Sequence, residues 1–164
     1  MTKRIFLSHS SKDVDAVEWI VSHARPLGIE VYRAEHDLQA GQPLAAKIET
    51  EIETCDAFIA LLTSNGFSSQ YVNQEIGLAK GRGKPIIPVL DRSVAGRDLA
   101  LLNGLEWVLL DASALGESCE ALTASLHKLV HAQAGTRGMR VDPDVILTAA
   151  AILLLFVAFA YYSK

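Results

Sequence analysis

Along the first 110 residues, short clustered apolar runs alternate with stretches where apolar positions recur every three or four residues. The first pattern is that of buried strands and the second that of amphipathic helices. Arg4 to Leu7 reads as the opening strand. Ser10-Ser11-Lys12-Asp13 fits a capping box, and Val14, Val17, Val21 and Ala24 follow at helical spacing. Pro26-Leu27-Gly28 stops that helix, and Ile29 to Tyr32 is the second strand. A loop from Arg33 to Gln42 leads to Pro43, in the place of a first helical residue. Leu44, Ile48, Ile52 and Cys55 then make the buried stripe of a second helix.

Ala57 to Leu62 (AFIALL) is apolar at every position. Such a strand must be covered on both faces, as in a parallel sheet. After a loop from Thr63 to Ser68, the spacing predicts a third helix over Ser69 to Lys80, ended by Gly81. Pro85 to Leu90 is the fourth strand. A short helical piece near Asp98 to Leu102 precedes a fifth, Glu106 to Leu110. A last helix covers Cys119 to Ala132, with Leu122, Leu126, Leu129 and Val130 on one face. Five strands alternating with helices predict an α/β doubly wound, parallel five-stranded sheet of flavodoxin-like order 2-1-3-4-5.

The last part of the chain breaks this rhythm. Val145 to Tyr162 is an uncharged run of 18 residues in which only Thr148 is not apolar. As a helix it would be about 27 Å long, close to the thickness of a bilayer core. Tyr161 and Tyr162 stand where an interfacial aromatic pair would. The reading is a single transmembrane helix at 145–162, joined by a linker at 135–144 (GTRGMRVDPD) to a domain at 1–134. The alternative is a C-terminal core helix packed on the domain, though such a helix should carry a polar face. Arg137 and Arg140 before the run, against Lys164 after it, favour a single-pass protein of the bacterial inner membrane with its N-terminal domain in the cytoplasm. The N-terminus shows no apolar stretch of the length a secretory leader needs.

Composition narrows the function. Half of the 164 residues are hydrophobic, and the net charge is −4. An acidic chain without a basic face is not expected to bind nucleic acid. Two cysteines, Cys55 and Cys119, make neither a disulfide framework nor a CxxC metal motif. His127 and His131 are four apart, but with no third ligand near in sequence no metal site is expected. Gly81-Arg82-Gly83-Lys84 precedes a strand and lacks the rest of a phosphate loop, so it reads as a helix cap and turn. Cys55, closing an apolar stripe, reads as core.

In a 2-1-3-4-5 sheet the ligand crevice lies above the C-terminal ends of strands one and three. The loops Ser8 to Ser11, Arg33 to Gln42 and Thr63 to Ser68 border it. Tyr71 and Glu75, four apart, share one face of the helix that starts at its rim. A carboxylate there is either a functional acid or a solvated surface group.

Four segments resemble bacterial Toll/interleukin-receptor (TIR) domains. Phe6-Leu7-Ser8-His9-Ser10-Ser11-Lys12-Asp13 is similar to the family's opening strand and loop. Asp37-Leu38-Gln39-Ala40-Gly41-Gln42 and the helix after it resemble the loop following strand two. Ser69-Gln70-Tyr71-Val72-Asn73-Gln74-Glu75 resembles the third-helix motif, and Gly83-Lys84-Pro85-Ile86-Ile87-Pro88-Val89 the approach to strand four. The resemblance covers Lys3 to Leu110, and more weakly the chain to Ala132. It implies cleavage of NAD⁺ at the nicotinamide–ribose bond, with NAD⁺ as substrate, no cofactor, and Glu75 as the catalytic residue. Tyr71 stands where the family usually has Trp and would supply an aromatic wall. Ser8, Ser10 and Ser11 would offer hydroxyls to substrate, Arg33 would pair with its diphosphate, and Leu38 would cover a base. Plain structural roles remain open for each of these loop residues. The resemblance further implies self-association through TIR domains, a role in anti-phage immunity or signalling, and a downstream effector that senses a nucleotide product. The rival reading is a non-enzymatic adaptor that recruits other TIR domains at a membrane.

Overall fold

A computed structural model describes residues 2–33 and 44–136. The expected loop residues from 34 to 42, Leu38 among them, Pro43, and the apolar run 145–162 lie outside the described residues. The chain divides into two units, Met1–Val130 and His131–Lys164. The first contains the sheet and the candidate site.

The strands are β1 (Lys3–Ser8), β2 (Ile29–Arg33), β3 (Ala57–Leu62), β4 (Ile86–Asp91) and β5 (Val108–Leu110). The helices are α1 (Val14–Ala24), α2 (Leu44–Thr54), the single turn α3 (Ser64–Phe67), α4 (Gln70–Gly81) and α5 (Leu115–Thr136). All strand pairs are parallel, in the order β2-β1-β3-β4-β5 expected from the sequence.

β3 is buried at every residue. Its alternation sends Ala57, Ile59 and Leu61 into one core with Val17, Ile20 and Ala24 of α1 and Leu122 and Leu126 of α5. Phe58, Ala60 and Leu62 enter a second core with Ile52 of α2 and Val72, Ile76 and Ala79 of α4. β1 obeys the same parity, Ile5 and Leu7 facing the first core and Phe6 the second. Phe6 and Phe58 stack there with centroids 5.3 Å apart. Burial of each ring contributes about 2–3 kcal/mol. Ser8, two residues beyond Phe6, therefore turns toward α4.

Several local expectations change. Asp13 is the residue before α1 and makes no side-chain bond to that helix. The capping box does not form, because the Asp13 carboxylate is taken by Thr63 Oγ1 at 2.7 Å and Asn65 Nδ2 at 2.8 Å. Val14, at the first turn, is exposed, and Ile20 takes the buried place in the α1 stripe. Gly28, at φ +68, ends the turn after α1 in a left-handed conformation that favours glycine. The expected loop at Thr63 to Ser68 contains α3, capped by the Thr63 hydroxyl. α5 starts four residues earlier than expected and continues through Thr136, two residues into the expected linker. Lys84 donates to the carbonyls of Glu53 and Cys55, closing the end of α2, which fits the cap-and-turn reading of that segment. Among the described residues, no helix is long and apolar enough to cross a membrane.

Candidate active site

α4 is capped by Ser69, whose hydroxyl accepts the backbone N–H of Val72. Its buried residues are Val72, Glu75, Ile76 and Ala79, a stripe at i, i+3, i+4 and i+7. A carboxylate thus occupies a position in the apolar stripe. Only 8% of Glu75 is exposed.

The sheet supplies its partner. Ser8 closes β1, opposite Ala60 of β3, at the C-terminal edge of the sheet. It is fully buried, and its hydroxyl donates to Glu75 Oε2 at 2.5 Å. Burial pushes the Glu75 carboxyl up from 4.5 to about 7, against the opposing effect of the Ser8 hydrogen bond. Near neutral pH the acid is consequently present in both forms.

Glu75 opens onto a cavity of about 340 Å³ lined by Ala45, Ile48, Tyr71, Gln74, Glu75 and Leu78. Glu75 is the one ionisable carboxylate among these described lining residues. Tyr71, 61% exposed, stands one turn before it at the rim. The surroundings are otherwise mostly apolar, with the Gln74 amide as a further polar group. Such a site can hold a flat ring against Tyr71 and bring a negative or neutral carboxyl to one atom of it.

The structure brings Ser8, Tyr71 and Glu75 together. Ser8 reaches the cavity through Glu75, since its hydroxyl is engaged by the acid. Ser10 and Ser11 lie in the turn before α1. The Ser10 carbonyl accepts the Asp13 N–H, and its hydroxyl accepts the Lys12 N–H at 3.4 Å. Arg33 ends β2 on the same strand parity as Ile29 and Val31, which face the first core, and it is ion-paired with Glu18 of α1. Its guanidinium is thereby engaged on the face of the sheet opposite α2 and α4, which line the cavity. The expected diphosphate contact finds no support in that placement. Ala45, Ile48, Gln74 and Leu78 were not among the expected site residues. Ile48 was legible only as helix stripe, and its place beside Glu75 depends on the packing of α2 against α4.

The parallel sheet, its crevice and the buried acid define an α/β domain of doubly wound class with a candidate site at the strand-order reversal. The family model described as TIR domain matches residues 5–126, and the chain belongs to that family. Its fold is similar to that of the CMP N-glycosidase BcmB of Clostridium botulinum, at 22% identity and a TM-score of 0.55, covering 75% of this chain and 99% of that one. It is also similar to the TIR domain of the Toll-related receptor TRR-2 from Hydra magnipapillata, at 17% identity and a TM-score of 0.62, covering 76% and 96%. No curated protein matches the chain in sequence.

Proposed function

We propose that this TIR domain is an N-glycosidase that cleaves NAD⁺ between nicotinamide and ribose. The observation that carries the reading is Glu75, buried at the cavity wall and held by Ser8. Nicotinamide is bound to ribose as a cationic ring and leaves neutral, so its departure needs no proton. The transition state is oxocarbenium-like, and a single carboxylate beside the ribose stabilises its positive charge. Tyr71 would stack on a ring of the substrate. Activity on NAD⁺ then follows the ionised form of Glu75 and rises with pH through about 7.

A second substrate class has its own support, because the structurally similar BcmB is named a CMP N-glycosidase. The cytosine of CMP is an uncharged base and leaves as an anion unless it is protonated. Cleavage of that class would use the protonated form of Glu75 and fall with pH through the same range. The test is release of nicotinamide from NAD⁺ and of cytosine from CMP by the purified chain, each across pH 5.5–8.5, as Glu75 titrates. Nicotinamide release rising with pH supports the proposal. Cytosine release alone moves it to the second class, and neither, at high protein concentration, returns the chain to the adaptor reading.

The proposal extends to address and assembly. The apolar run 145–162 would anchor the domain in a membrane with the N-terminal side in the cytoplasm, where NAD⁺ is available, and the tether would raise the effective concentration of copies for self-association. A role in anti-phage signalling, with an effector reading the product, belongs to the same proposal. Protease protection of intact cells tests the orientation: digestion of the domain from outside, or recovery of the full chain in the soluble fraction, rejects the anchor.

A further inference from the structure

On the opposite side of the sheet from the cavity, α1 and α5 bring together a thiol and an imidazole 96 positions apart. Cys119 Sγ lies 2.9 Å from His23 Nε2. The other ring nitrogen, Nδ1, lies 2.7 Å from the Trp19 carbonyl oxygen. A carbonyl only accepts, so Nδ1 carries the proton in that contact and Nε2 presents a lone pair to the thiol. Two further contacts hold the ring. The Trp19 indole packs on it with centroids 4.6 Å apart, and Ser22 Oγ, itself donating to the Trp19 carbonyl at 2.7 Å, sits 3.2 Å from Nδ1. Nucleophile, base and orienting group are thus in successive contact. Cys119 is half-buried, whereas Cys55 is buried and donates to the Ile52 carbonyl.

We propose that Cys119 and His23 form a thiol-exchange site whose co-substrate is a low-molecular-weight disulfide. His23 Nε2 takes the thiol proton, and the thiolate attacks one sulfur of the disulfide. A Cys119–sulfur bond forms, the disulfide bond breaks, and the departing thiolate receives the proton from His23. One thiol and one disulfide become a mixed disulfide and a thiol, with no external oxidant. The site is separate from Glu75 and independent of the reading given to that residue.

The test uses the full chain with oxidised glutathione at neutral pH. Peptide mapping follows the mixed disulfide at Cys119 and Cys55, in native protein and in protein unfolded in denaturant. Native Cys119 should react at least about tenfold faster than unfolded Cys119, because a free cysteine without a base is only a few per cent thiolate near neutral pH, while native Cys55 reacts more slowly than unfolded Cys55. His23→Gln should remove the acceleration at Cys119. Native Cys119 reacting no faster than the unfolded chain overturns the proposal, with or without a foldable variant. So does a folded His23→Gln chain that reacts at the wild-type rate.

Discussion

Glu75→Gln should abolish cleavage and at the same time stabilise the fold, and the stabilisation should depend on pH. In the unfolded chain the carboxyl titrates at its ordinary 4.5, and in the folded chain at about 7. Below 4.5 both states hold the proton and Glu75 costs nothing. As pH rises past 4.5 the unfolded state ionises first, so stability falls until the folded carboxyl has also ionised, above about 7. At 1.36 kcal/mol per pKa unit, the full cost is about 3 kcal/mol. Glutamine keeps an oxygen for the Ser8 hydroxyl and has no charge to bury. Thermal unfolding of the variant should therefore match wild type at pH 4 and exceed it at pH 8.5 by roughly 10 °C. Loss of the carboxylate should lower nicotinamide release by a factor on the order of 10² or more. A melting difference that is the same at both pH values would refute the burial cost assigned to this carboxyl. Near-wild-type turnover in the variant would remove Glu75 from the chemistry.

Ser8→Ala withdraws a donor that favours the ionised acid, so the Glu75 carboxyl should move further up. NAD⁺ cleavage at pH 7 should drop about tenfold and recover at higher pH, and an unchanged pH profile would contradict it. Tyr71→Ala should impair turnover strongly while Tyr71→Trp is tolerated, as steady-state kinetics would show. Gly66→Ala should destabilise by about 2 kcal/mol in denaturant titration, because a Cβ there would sit 2.4 Å from the Leu61 carbonyl oxygen.

The sheet was legible because β3 is apolar throughout and the helices around it keep a 3.6-residue period. Strand order followed from that pattern. Glu75 was legible as a motif residue, and its burial was foreshadowed by Val72, Ile76 and Ala79, which place residue 75 within their stripe. The Ser8–Glu75 contact was not legible, since it joins positions 67 apart and depends on how β1 parity meets α4. Asp13 was misread for a related reason. Local spacing favoured a capping box, but Thr63 and Asn65, 50 or more residues away, offer its carboxylate two donors. Arg33, expected from the resemblance to pair with a diphosphate, is set by strand parity beside Glu18, a contact that local sequence did not show.

The Asp13 clasp has a mechanical meaning. It ties the segment leaving β1, just beyond Ser8, to the segment leaving β3, so the two segments form one bracket beside the acid. A ligand pressing on either would have to move both. Variation in the shape of the cavity is thus left to the α2 side, where Ala45 and Ile48 line it and take no part in the Ser8–Glu75 hydrogen bond.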